Sequence, residues 1–229
     1  RSFPVVALPG VDSFDRRVAV TADGSVVVAW IEGSDRALVV VASWLDARGF
    51  RDAYIVDRVD VSDEAVELSL RTTTTLRVVP DGADRVAIAW RPIVPRKDET
   101  LDVGTRSRPP EHEAGAQVRI VTTDAHHATS SPRVHATRAL PLPFVTGIGP
   151  WPLGKNGLAA TTVAGHAAFL WLEEQGVVMA GTRDERPRNV APHLGQPRLL
   201  PLEPKQRGTD VLVLRAGGPQ NVLKITCER

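Results

Sequence analysis

The chain has 229 residues, 42% of them hydrophobic and 24% charged, and its 28 Lys and Arg balance 27 Asp and Glu to a formal net charge of +1. A chain of that length buries roughly 70% or more of the surface it would expose unfolded, so one large core or two small ones can form. The composition excludes a collagen, a disordered tail and a disulfide scaffold, and the interleaving of acidic with basic residues argues against a binder of nucleic-acid phosphates.

No apolar run approaches the roughly 18 residues that a membrane helix needs, so no membrane span is expected. Cys227 is the single cysteine, which excludes an intrachain disulfide and a cysteine-based zinc site. The sequence starts at Arg1 rather than Met. Removal of a leader would account for that, and an extracellular or cell-envelope location is the expectation.

Proline sets the organisation. None of the 18 prolines falls between Pro9 and Pro80 or between Pro152 and Pro187, whereas they cluster at 92–110, 132–152 and 187–204. Such clusters do not suit central strands or helix interiors. The first elements in chain order are an apolar strand at 2–8 and then a hairpin, Val18–Thr21 and Val26–Ile31, turning through Asp23-Gly24. A third strand follows at Ala37–Trp44 and ends in Leu45-Asp46.

The unit recurs. Leu76–Val79, Asp81-Gly82 and Arg85–Trp90 form a second hairpin, followed by Gln117–Thr123 and Asp124. Leu158–Thr162, Ala164-Gly165 and Ala167–Trp171 form a third, followed by Gly176–Arg183 and Asp184. A fainter fourth runs from Leu199–Leu202 through Gly208 to Asp210–Arg215, then Asn221–Cys227 and Glu228. Four copies of hairpin, third strand and acidic residue, near 17–46, 75–124, 157–184 and 198–228, read as an internal repeat with loop insertions.

The second strand of each copy is apolar on both alternating faces, as in Val26–Trp30, so both faces must be covered. No amphipathic helix of adequate length lies between the repeats; Ser62–Leu70 places Val66, Leu68 and Leu70 at period two. Each sheet is therefore expected to be covered by copies of itself. The predicted fold is all-β, a single-domain β-propeller over 1–229 with about four antiparallel blades, each buried against its neighbours. The strand at 2–8 could complete the last blade and close the ring; part of a larger propeller, or a ring completed by a second chain, are the alternatives.

The phrase from Val18 to Trp30, with Thr21, Asp23, Gly24 and Trp30, and its second copy Val79, Asp81, Gly82 and Trp90 resemble the blade repeats of the sialidase-like and Asp-box propeller proteins. That resemblance covers most of the chain on loose patterns. It implies a propeller and, if the activity came with it, a tyrosine nucleophile paired with a carboxylate, an arginine triad and an acid/base aspartate. Tyr54 is the only tyrosine and is expected on an outer strand, away from the axis, and no three arginines fall at matched positions. Catalysis is accordingly the minority reading, with a sialidase-like glycoside hydrolase as its form.

Other candidates fall to their chemistry. Trp30, Trp90 and Trp171 could stack on sugars, but a residue ending a strand that buries both faces belongs to the core. Gly149 to Lys155 has phosphate-loop spacing, yet Pro150 and Pro152 remove amide donors and Asn156 replaces the magnesium-binding hydroxyl. His126, His127 and His135 with Asp124 and His112 fit no compact ligand set and read as a solvated loop, so neither metal nor cofactor is expected. In a blade, the link from second to third strand and the link between blades open on one face. Segments 92–115 and 138–157 would therefore share a rim, with Arg96, Lys97, Asp98, Glu99, His112 and Trp151 as candidate binding residues. The expected function is a non-catalytic binding or assembly module for a protein or glycan, with a structural subunit pairing through an open sheet edge as a further alternative.

Overall fold

The structure is a computed structural model. It describes residues 14–34, 37–46, 48–60, 75–92, 117–136, 158–173, 176–184, 186–191, 202–206, 211–216 and 222–226, with no helix among them. The protein is all-β. Among the described residues sixteen strands form four antiparallel sheets.

The first sheet comprises β1 (Phe14–Val20), β2 (Val26–Ser34), β3 (Ala37–Asp46), β4 (Gly49–Phe50) and β5 (Tyr54–Asp60), with β4 and β5 both paired to β3. The second is β6 (Thr75–Pro80), β7 (Arg85–Arg91), β8 (Gln117–Asp124) and β9 (Arg133–Ala136), in that order. The third repeats it as β10 (Leu158–Val163), β11 (His166–Glu173), β12 (Gly176–Gly181) and β13 (Arg188–Ala191). The fourth has three strands, β14 (Leu202–Gln206), β15 (Val211–Ala216) and β16 (Val222–Thr226).

Each of the four expected hairpins is present, and the third strands begin where the repeat places them. In the first two copies Asp46 and Asp124 end their strands; Asp184 lies three residues past the end of β12. Their role is local. Asp46 Oδ1 accepts the Arg48 amide at 2.7 Å, and Asp124 Oδ1 accepts those of His126 and Ala128 at 2.8 and 3.1 Å. Asp184 Oδ2 accepts the amide of Gly181 at 2.9 Å. A short carboxylate beside a turn satisfies amides that have left the ladder, which is why an acidic residue recurs there.

Three expectations need correcting. The repeat seemed to stop at three strands, but the first three sheets carry a fourth: β5, β9 and β13 are short or charged, so periodicity does not reveal them. The Asp-Gly turns are longer than two residues. Val20 pairs with Val26, and only Gly24 and Gly82 take positive φ, while the two-residue turn with both φ positive is Ala164-Gly165. In the fourth copy β14 runs over Leu202–Gln206, where a polar turn is expected after Leu202, and contains Pro204, tolerated because β14 is an edge strand; residues 199–201 lie outside the described residues. The strand expected at 2–8 and the period-two stretch at 62–70 lie outside the described residues.

The alternating faces pack on different neighbours. Val27, Ala29 and Ile31 of β2 with Leu38, Val40, Ala42 and Trp44 of β3 meet Leu76, Val86, Ile88 and Trp90 of the second sheet. The opposite face of that sheet, through Ala87, Ala89, Val118 and Ile120, meets Leu158, Phe169, Trp171, Val178 and Ala180 of the third. The remaining faces are also buried: Val28, Trp30, Ala37, Val39 and Val41 of the first sheet, and Ala159, Ala168, Leu170 and Val177 of the third. The first strands follow one another in space, β1 beside β6, β6 beside β10 and β10 beside β14. Strands apolar on both faces are thus covered on both, and for the second sheet the cover is a sheet of the same kind on either side.

Candidate functional site

Antiparallel order fixes which connections share an end. The hairpin turns and the turns into fourth strands lie at one end, the turn end. Links from second to third strands and links between sheets lie at the other, the link end. The turn end is knitted together by backbone bonds between sheets: the Asp23 amide donates to the Ala83 carbonyl at 3.0 Å, and the Gly82 amide to the Gly165 carbonyl at 2.8 Å.

The two proline-rich insertions root at the link end. One runs from Pro92, just past β7, to Gln117 at the start of β8, and the other from Ala136 at the end of β9 to Leu158 at the start of β10. Gln117 and Ala136 are ladder partners. The return of the first insertion and the departure of the second are therefore side by side, about 5 Å apart between Cα atoms. Arg96, Lys97, Asp98, Glu99, His112 and Trp151 belong to these insertions and lie outside the described residues, as does the phosphate-loop-like stretch 149–155.

The tryptophans of the repeat are core. Trp30, Trp90 and Trp171 are buried, and so is Trp44. Each described indole has a polar or ring partner: Trp30 Nε1 donates to Glu32 at 2.5 Å, Trp90 Nε1 to Asp57 at 2.6 Å and Trp44 Nε1 to the Tyr54 hydroxyl at 3.0 Å. Trp171 stacks on His135 with ring centroids 5.8 Å apart.

Polar clusters at the sheet boundaries were not legible beforehand. Asp57, whose side chain is only 2% exposed, accepts Arg119 Nε and Nη2 at 2.7 and 2.8 Å besides the Trp90 bond. Asp81 accepts the Thr182 hydroxyl at 2.7 Å, the Ala167 amide at 3.1 Å and pairs with His166 Nδ1 at 3.2 Å. Burial alone would raise the Asp81 pKa, but these bonds outweigh it and hold the carboxyl below its ordinary value. Arg51 donates to the Ala125 carbonyl at 2.8 Å, and Arg133 to the carbonyls of Asp184 and Thr182. In both cases an arginine at the outer side of one sheet holds the third-to-fourth turn of the next.

Tyr54 starts β5, the outermost strand of its sheet, as expected. Its hydroxyl bonds Thr123 Oγ1 at 2.7 Å and Trp44, and its ring stacks on His127 at 4.0 Å. Burial raises its pKa. Its two hydroxyl partners are an alcohol and an indole, neither of which activates a phenol as nucleophile.

Arginines do match at two positions: Arg17 pairs with Ala29 and Arg77 with Ala89, one step before Trp30 and Trp90, whereas the third sheet has Ala159 there. Both guanidiniums donate to one carbonyl, that of Leu76, and Arg17 also pairs with Asp15. Burial, with Arg17 nearby, lowers the Arg77 pKa.

The histidines separate. His126 is exposed, His127 lies on Tyr54, and His135 is on β9 against Trp171 rather than in a solvated loop. Among the described residues no three His, Cys, Asp or Glu side chains converge on a metal-sized site, and no helix is long and apolar enough to cross a membrane. No protein-family model matches the chain, and no curated protein matches it.

Proposed function

We propose that the chain is a four-bladed β-propeller acting as a non-catalytic binding or assembly module, and that it takes a protein or glycan through the link end. The fold part of this reading is supported by the succession of first strands β1, β6, β10 and β14 and by burial of both faces of the first three sheets. On this reading residues 2–8 complete the last sheet, of which three strands are described.

The observation that carries the binding part is the pairing of Gln117 with Ala136, which roots two long insertions on one rung. Proline-stiffened loops bearing Arg96, Lys97, Asp98, Glu99, His112 and Trp151 give mixed charge and an aromatic ring with part of their ordering entropy already removed. The sialidase-like alternative loses support from Tyr54, whose hydroxyl is engaged by Thr123 and Trp44.

The test compares the parent with the Arg96→Ala/Trp151→Ala double variant on a printed oligosaccharide array and in pull-downs from native extract. The double variant loses what the parent retains while melting at the same temperature. A parent that retains nothing, or a variant that retains as much, removes the reading.

A further inference from the structure

Successive sheets meet at one repeated position. Trp30 pairs with Val41, and the preceding residue of that third strand, Val40, pairs with Asp57. Trp90 pairs with Arg119, and the neighbouring Val118 pairs with His135. Trp171 pairs with Val178, and Val177 pairs with Ala191. Positions 57, 135 and 191 are therefore equivalent, as are 41, 119 and 178.

In the two boundaries where both sides are described, this fourth-strand residue reaches forward to the tryptophan of the following sheet. Asp57 bonds Trp90 and the guanidinium of Arg119. His135 stacks on Trp171, where the residue across from the indole is the buried apolar Val178. The tryptophan is common to both boundaries, and the chemistry beside it differs.

We infer that the fourth-strand position specifies the order in which the sheets dock, an ion pair selecting the second sheet after the first and an aromatic stack selecting the third after the second. Apolar faces alone discriminate weakly among neighbours, because a core tolerates many side chains of similar total volume. The polar position does. Docking the first sheet on the third would bury the Asp57 carboxylate against Val178 with no cation; docking the second on itself in another copy would leave Arg119 buried beside His135 with no carboxylate. A desolvated charge without its partner is the costliest of mismatches. Similar modules in one chain are prone to misdocking and exchange between copies, and this device opposes both.

The experiment exchanges the two chemistries. His135→Asp alone and Asp57→His alone each lower the melting temperature by about 10 °C. His135→Asp/Val178→Arg, which rebuilds the ion pair at the second boundary, and Asp57→His/Arg119→Val, which rebuilds the stack at the first, each recover more than half of that loss. Where a single variant does not fold, recovery of soluble monomer in its double variant reads the same coupling. Because Asp57→His/Arg119→Val gives both boundaries the same chemistry, its yield of monomer on refolding from guanidinium falls several-fold below the parent's despite the recovered melting temperature. Double variants no more stable than their worse single, or a refolding yield equal to the parent's, overturn the inference.

Discussion

The carboxylate of Asp81 lies 2.7 Å from the hydroxyl of Thr182, across the boundary between the second and third sheets. In the hairpin turn of the first sheet the Asp81 position is held by Thr21, since Val20 pairs with Val26 as Pro80 pairs with Val86, and Asp23, two residues on, bonds within its own turn, to Thr21 Oγ1 at 2.5 Å and to the amide of Ser25 at 3.0 Å. The aspartate of one hairpin turn is a boundary tie and that of the other a turn brace.

Asp81→Ala is expected to cost about 2–4 kcal/mol, because it removes a charge-assisted bond and leaves the buried Ala167 amide without its acceptor. Asp23→Ala is expected to cost less, since Asp23 is exposed and the Thr21 hydroxyl keeps the Ser25 carbonyl as acceptor. Urea denaturation of the two variants checks the order.

The Asp81 contribution also depends on pH. Its folded pKa is below the ordinary carboxylate value of 3.8, so the stabilisation is complete above that value and is lost as pH falls through the lower folded value. Between about pH 4 and pH 2 the parent is expected to lose stability more steeply than Asp81→Asn, measured by thermal melts in matched ionic strength.

His135 acts at higher pH and from a different cause. Burial, and secondarily the charge of Arg133, lower its pKa from 6.5. The unfolded chain therefore takes up the proton first, and the His135 contribution is complete above about pH 6.5 and declines below it. His135→Gln is expected to flatten the stability profile between about pH 7 and pH 5. The fluorescence of Trp171 reports the same step.

Tyr54→Phe removes the hydroxyl that joins Trp44 to Thr123 and is expected to cost about 1–2 kcal/mol. If the chain is not a hydrolase of the sialidase kind, neither parent nor variant cleaves a fluorogenic sialoside. Turnover by the parent that the variant loses would restore the enzymatic reading.

Deleting residues 1–9 tests the closure proposed for the fourth sheet. Removal of a fourth strand would expose the outer edge of β16, and an uncovered edge recruits another strand. The expected result is self-association in sedimentation velocity with a parent that stays monomeric; a deletion variant that remains monomeric and equally stable would count against closure by this segment.

Sequence alone determined the β class, the four hairpins and the third strands, with an acidic residue at or just past the end of the first three. Those features are local: alternation over Val26–Ile31, Gly at a positive-φ position such as 24 or 82, and a carboxylate beside a turn each act within a few residues. It also determined that Trp90 and Trp171 are core, since strands apolar on both faces leave their side chains nowhere else to go. The Asp57–Arg119–Trp90 cluster and the Asp81–Thr182 tie were decided only by tertiary structure, because their partners are 33 to 101 residues apart; the fourth strands pair nearby in sequence but are short or charged, and only the assembled sheet marks them. A lone Asp between apolar residues reads the same whether it meets water or a guanidinium. Only the approach of the next sheet distinguishes the two.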